Sequence, residues 1–346
     1  MGTLGLHALN RALIERQMLR ERAGKSALAT IEHLLGIQAQ EPKSPYVGLW
    51  TRLEDFRPQE LEDLLTTREA VRILLMRGTI HLVSARDALA LRPHMQLRLD
   101  RELQSGPFAK RLRGLDLDAV AEAGRTILET TPQGTADAGK QLKELWPDRE
   151  HTVLGNALRN KLALVQVPPR GLWHRSGRAV CTTVETWLDA PQQAMDRREL
   201  VLRYLTAFGP ATVMDAQQWS GLTRLGEVFD ELRPELVTFR TEAGKELFDL
   251  PDAPRPDADT DVPVRLLPEF DNVLLAHADR RRVIADDRLG VVVGGKPTVL
   301  VDGFVVATWA VTKERTVEVE YIDDLPPSRR KAVAEECDRL QDWIRT

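Results

Sequence analysis

The sequence predicts an α+β chain: three tandem winged helix-turn-helix units followed by a C-terminal β-barrel-like domain with a terminal helix. Three observations carry this. Helical periodicities leading into a two-strand hairpin pattern occur three times, as a loose structural repeat. A Pro- and Asp-rich stretch, Asp252–Asp261, ends that grammar as a linker. Beyond it, short Val-rich runs alternate with Gly, Pro or charged turns, the pattern of a small antiparallel barrel or sandwich. The expected divisions are 1–113, 114–190, 191–251 and 262–346.

In the first division, Leu6, Leu9, Leu13, Met18 and Leu19 recur at helical spacing. Ser26 is placed to cap a second helix running to Leu35, with Gly36 as its stop. Gln59–Leu65 reads as a further helix. Val71–Leu75 and Thr79–Val83 flank the turn Arg77-Gly78 as a hairpin, and Ser84 opens a helix toward Leu103. The second division has helices near 117–129, 137–145 and 152–161. A strand Leu162–Val167, a turn Pro168–Gly171 and a strand Leu172–His174 follow them. The third has helices over Arg197–Phe208, Val213–Trp219 and onward to Leu232, then a hairpin of Leu236–Arg240 and Glu246–Leu250. After the linker, strands are expected at Val264–Leu267, Val273–Leu275, Val283–Ala285, Val291–Val293, Thr298–Val301, Val305–Ala310 and Val317–Tyr321. The amphipathic helix Pro326–Ile344 closes the chain.

At 346 residues, with 42% hydrophobic and 29% charged residues, the chain can build several real cores, and wholesale disorder is excluded. No apolar run reaches the ~18–20 residues of a membrane helix, and no signal-peptide core follows the amino terminus. A cytoplasmic protein is expected. The seven His show no metal-ligand spacing, the two Cys lie far apart, and no GxGxxG or GxxxxGK[ST] phosphate loop occurs. Neither a metal nor a cofactor is therefore expected. Cys181, between Val180 and Thr182, reads as a packed thiol.

The net charge of −4 argues against nucleic acid only as a total. Segment 72–113 holds nine basic against three acidic residues, and 149–182 holds six against one, whereas 246–262 is strongly acidic. Of the 48 basic residues 38 are Arg, the planar fork suited to phosphate, although solvated helix faces would carry the same excess.

The informative stretch is Leu35-Gly36-Ile37-Gln38-Ala39-Gln40-Glu41-Pro42. In extended backbone after Gly36, Ile37 and Ala39 face the core while Gln38 and Gln40 share the other side. Two carboxamides offer donors and acceptors together, enough to hold one water in a fixed orientation. A polar loop edge after a helix would read the same way, and the residues alone leave both open.

Gln38-Ala39-Gln40 is accompanied by Leu75-Met76-Arg77-Gly78-Thr79-Ile80-His81-Leu82-Val83, by Phe208-Gly209-Pro210-Ala211-Thr212 and by Leu267-Pro268-Glu269-Phe270-Asp271-Asn272 running on to Arg280. In this order, over essentially the whole chain, these segments resemble the AlkZ-type winged-helix DNA glycosylases. The resemblance implies a monofunctional, cofactor-free glycosylase that hydrolyses the N-glycosidic bond of N7-alkylated purines. It also implies unhooking of azinomycin-type interstrand cross-links, in self-resistance and base excision repair. The family's Gln-hydrophobic-Gln motif falls on Gln38, Ala39 and Gln40, with the two glutamines catalytic. Gln40, where a relative has Asp, points to the cross-link-unhooking branch. The hairpin that the family uses against DNA is placed at His277–Val283. The expected DNA contacts are Arg77, Thr79, His277, Arg280, Arg281 and Arg282. The expected partner is double-stranded DNA carrying alkylated or cross-linked purines, met by a monomer without a membrane. The reading from another class is a non-catalytic winged-helix regulator or a lesion-shielding protein, which would leave no abasic site.

Overall fold

The computed structural model describes residues 2–346. Packing divides them into two compact units, both discontinuous in sequence. The first comprises Met1–Phe56, Arg197–Trp219 and Thr223–Thr346; the second comprises Arg57–Asp196 and Ser220–Leu222.

The first unit begins with the helix Leu6–Arg16, which buries Leu9, Ala12 and Leu13, the i, i+3, i+4 face that the sequence marks. Ser26 caps the helix Ala27–His33, its side chain accepting from Ala29 N at 3.2 Å. The helices Arg197–Phe208, Val213–Ser220 and Leu225–Leu232 lead to the hairpin Val237–Thr241 with Glu246–Asp249, and Thr3–Leu4 joins its open edge in parallel. A buried ion pair joins sequence-distant parts of this unit. Arg16 Nη1 and Nη2 donate to Asp249 Oδ1 and Oδ2 at 2.7 and 2.8 Å, with side chains 1% and 0% exposed.

The C-terminal part departs from the barrel that the sequence suggests. Arg265–Leu267, Thr298–Val301, Phe304–Val311 and Val317–Tyr321 form an open, antiparallel, four-stranded sheet in that spatial order. Three expected strands are something else. Val273–Leu275 lies in the helix Asn272–Leu275, because Asp271 Oδ1 accepts from Val273 N at 3.0 Å and nucleates a turn there. Val283 follows the 3₁₀ turn Arg280–Arg282, and Val291–Val293 lies in the helix Leu289–Val293. Runs of three apolar residues carry no period, so the flanking caps decide between strand and helix. The helix Pro327–Arg345 covers the sheet with Val333, Cys337, Leu340 and Ile344.

In the second unit, Ala70–Leu74 pairs with Ile80–Ser84 in the expected hairpin, with Val71 opposite Val83. Ser84 caps the helix Ala85–Ser105 through Asp87 N at 3.2 Å. Ala70–Leu74 also pairs with Leu164–Val167, whose other neighbour is Val180–Thr183 and not the expected Leu172–His174. Pro168 and Pro169 have no N–H for a ladder, so the chain turns through Gly171 (φ 100°) and His174 (φ 57°) before a strand resumes. Behind the sheet, Leu117–Thr130, Thr135–Leu142 and His151–Lys161 share a core of Val120, Leu128, Leu142, Leu154 and Leu158. Two of these helices touch backbone to backbone: a Cβ on Gly139 would stand 2.1 Å from His151 O, and one on Gly155 2.6 Å from Thr135 O.

Asp249→Ala would strand the buried Arg16 guanidinium without its carboxylate. The expected loss is about 3–5 kcal/mol of unfolding free energy, measured by denaturant titration.

Candidate active site

The Gln-Ala-Gln segment is aimed by the way the preceding helix ends. Leu35 takes a left-handed conformation (φ 54°), its N–H bonding to Glu32 O at 3.2 Å, and Gly36 N reaches back to Ile31 O at 2.9 Å. This Schellman pair stops the helix at Leu35, and Gly36 adds a second positive φ (96°), where glycine carries no Cβ penalty. The chain leaves as the short strand Ile37–Gln38 and bends at Gln40 before the helix Ser44–Trp50. Ile37 and Ala39 are buried at 3% and 0% exposure, as alternation requires. Gln38 is buried as well, whereas Gln40 reaches the surface.

A distant segment grips this one from several sides. Asn272 Nδ2 donates to Gly36 O at 2.8 Å, immediately before the strand. Ser44 Oγ, just after the bend, donates to Glu269 Oε2 at 2.7 Å. Past the helix, Arg52 Nη1 and Nη2 donate to Asp271 Oδ2 and Oδ1 at 2.9 and 2.7 Å, both side chains being buried. Pro268 packs here too: a Cβ on Gly48 would stand 3.5 Å from Ile37 Cγ2 and 3.7 Å from Pro268 Cγ. The sequence marks Leu267–Asn272 as a motif but does not show these roles. The available signal was an Asp and an Asn set in an otherwise apolar run, where burial demands partners.

Two other motif segments also meet. His277 Nε2 donates to Phe208 O at 2.9 Å, and Arg282 Nη1 donates to Pro210 O at 3.0 Å. Asp215 lies between them, accepting from Thr212 N and Ala278 N at 2.8 Å each. The Phe208–Thr212 turn and the start of the 277–282 segment are therefore one polar cluster.

A family model described as DNA glycosylase AlkZ-like matches residues 31–343, which spans all of these segments. The chain belongs to this family. Among the proteins it resembles, an interstrand DNA cross-link repair glycosylase of Streptomyces sahachiroi is 23% identical over 333 residues, covering 90% of this chain and 89% of that protein. The solved structure of the Streptomyces sahachiroi DNA glycosylase AlkZ matches with a TM-score of 0.79 at 22% identity, over 99% of this chain and 97% of the other. The AlkZ-like chain is accordingly an enzyme, a hydrolase of the N-glycosylase type.

The structure sorts the candidate DNA contacts of this glycosylase. His277 and Arg282 are 1% and 3% exposed and committed to backbone carbonyls, which removes both from the surface that a phosphate can reach. Arg281 is exposed but paired with Asp279 at 2.6 Å, and Arg280 is half-buried with no carboxylate paired to it among the described residues. Arg77 and Thr79 sit in the hairpin turn of the second unit, both partly exposed, with Arg77 left-handed (φ 58°). Arg77 Nη2 stands 3.3 Å from His81 Nε2, while His81 Nδ1 faces Thr79 O at 3.0 Å. The carbonyl assigns the ring proton to Nδ1, which leaves Nε2 to accept from Arg77. In the basic block 72–113, Arg72 and Arg92 are buried at 1%, so the charge count overstates its surface. Arg92 instead donates to Asn160 O and Leu162 O at 3.2 and 3.1 Å.

No helix among the described residues is long and apolar enough to cross a membrane. No group of three or more His, Cys, Asp or Glu among them is placed to hold a metal ion. Burial pushes the Cys181 thiol up to about 11, far from thiolate chemistry at neutral pH.

Burial, and then the neighbouring Arg77, push His81 down to about 3; burial and then Arg282 do the same to His277. Both rings stay neutral in the fold while the unfolded chain takes up their protons below about pH 6.5. Stability from these sites is full above that pH and is lost as pH falls toward 3. Thermal melts across this range should show a falling midpoint. In His277→Gln, which can still donate to Phe208 O but does not titrate, the slope should be shallower.

Proposed function

We propose that this enzyme hydrolyses the N-glycosidic bond of N7-alkylated purines in double-stranded DNA, with Gln38 and Gln40 orienting the attacking water. The observation that carries the reading is the Gln-Ala-Gln segment of an AlkZ-like chain, with its apolar residues anchored in the core and Gln40 at the surface. The substrate supplies most of the activation. Alkylation at N7 makes the base cationic, so it departs neutral and needs little acid assistance. The sugar then develops oxocarbenium character, as in glycoside hydrolysis. So reactive an electrophile is captured by a positioned water without a strong base. Two carboxamides suit that work, because positioning lowers barriers by as much as roughly 7–11 kcal/mol in favourable intramolecular cases. A normal purine lacks the activated leaving group, and selectivity follows in part from the lesion.

The reading extends to unhooking of interstrand cross-links of the azinomycin type, in self-resistance and base excision repair. It is supported by Gln40 at the second motif position and by the named activity of the Streptomyces sahachiroi relative. The enzyme acts as a cytoplasmic monomer. The helix-and-hairpin groups of 1–113, 114–190 and 191–251 serve as winged helices toward DNA, and Arg77, Thr79, Arg280 and Arg281 are the contacts that the structure leaves available. Affinity should fall with salt as phosphate counterions are displaced.

Release of N7-methylguanine from methylated duplex DNA tests the assignment. Gln38→Ala and Gln40→Ala should each slow single-turnover release by roughly a hundredfold or more while DNA binding persists. Full activity in both variants overturns the site. A defined cross-linked duplex, treated with enzyme and then hot alkali, should separate into broken single strands.

A further inference from the structure

The segment Leu267–Asn272 comes from a part of the sequence more than 220 residues away from the glutamines, yet its polar side chains bond on both sides of them. Asn272 is 3% exposed and holds the carbonyl of Gly36, two residues before Gln38. Glu269 holds the hydroxyl of Ser44, four residues after Gln40. Between them, Asp271 fixes Arg52 beyond the following helix and caps the turn that carries Asn272, through Val273 N at 3.0 Å. Trp309 Nε1 in turn donates to Leu267 O at 2.9 Å, tying the segment to the four-stranded sheet. Asn272 Oδ1 is buried with no hydrogen-bond partner among the described residues. A leucine or alanine would spare that oxygen but leave the buried Gly36 carbonyl without this donor.

We propose that Asn272 and Glu269 are positioning residues for catalysis: Asn272 holds the backbone before Gln38–Gln40 and Glu269 the Ser44 side chain after it, and together they fix where the two carboxamides point. The proposal rests on the glutamine assignment made above. Its physical reason is the tolerance of a water-orienting site. At such a site a misplacement of about 1 Å is enough to cost on the order of a hundredfold in rate. The Asn272 bond fixes the Gly36 peptide, from which Ile37–Gln40 departs, and the Glu269 bond fixes Ser44 at the other end.

The test measures single-turnover release of N7-methylguanine together with DNA affinity and melting temperature, for Asn272→Ala, Glu269→Gln and each combined with Gln40→Ala. Single-turnover release by Asn272→Ala should fall by about ten- to a hundredfold and by Glu269→Gln by less, with DNA affinity unchanged. In the Gln40→Ala background the same substitutions should cost almost nothing further, because the group that they position is already gone. Asn272→Asp keeps the shape but loses the donor, and its rate, corrected for uncatalysed depurination, should recover as pH is lowered and a carboxyl O–H replaces the amide N–H. If Asn272→Ala fails to fold, Glu269→Gln and Asn272→Asp carry the same comparison. Wild-type rates in these variants, equal losses in both backgrounds, or losses that track affinity or melting temperature overturn the clamp. If Gln40→Ala itself is fully active, the glutamine assignment fails instead, a separate outcome.

Discussion

The paired hydrogen bonds between Arg52 and Asp271 hold the site-bearing unit together. Arg52 donates to both Asp271 oxygens, to Gly48 O at 3.0 Å and to Gln17 Oε1 at 3.3 Å. Gln17 passes the connection on, donating to Ala207 O at 2.7 Å. One guanidinium thus joins the amino-terminal helices, the 197–208 helix and the segment that follows the first strand of the small C-terminal sheet. A charge taken out of water costs several kcal/mol and is tolerated only when its donors are used. The planar fork of Arg52 uses both Nη groups in this way, leaving only Nε without a partner among the described residues, where the single ammonium of Lys would not reach as many acceptors. The ion pair fixes register across a unit assembled from three separate stretches of chain, and the glutamine segment inherits that register.

Much of this was legible before any coordinates. The Leu6, Leu9, Leu13 spacing, the Ser26 cap, the hairpin around Arg77-Gly78 and the burial of Ile37 and Ala39 each follow from local rules, whereas the burial of Gln38 between them does not. What failed were short apolar runs without period. Val291–Val293 is as β-branched as a strand and Val273–Leu275 as apolar as one, yet capping and the neighbouring turns make them helical. Leu172–His174 lost its strand to the two prolines before it. The barrel failed for the same reason, since three of its seven strands were never strands and four are too few to close.

The candidate site is legible in the sequence as a pair of side chains, while what holds that pair is not. Gln38 and Gln40 lie in one short segment that a reader of sequence can find. Asn272, Glu269 and Asp271 act on that segment from far along the chain, and no local rule reports such a distance. Burial likewise separates residues that look alike in sequence. Arg280, Arg281 and Arg282 are adjacent, yet the first is half-buried, the second faces solvent beside Asp279 and the third is spent on Pro210 O.

The same division applies to the arginine excess as a whole. An exposed guanidinium attracts phosphate at long range and is screened by salt, whereas a buried one organises carbonyls and is screened little. In the 72–113 block, Arg72 and Arg92 are of the second kind, while Arg86, Arg101, Arg111 and Arg113 remain exposed. Arg111 is partly neutralised by Glu150 at 3.2 Å. The charge that this block offers to a DNA backbone is therefore well below its formal total. For an enzyme that must find one lesion among many intact base pairs, weaker non-specific attraction shortens each unproductive encounter. In the proposed reading, recognition is then left to the chemistry of the damaged base and to the orientation of two glutamines.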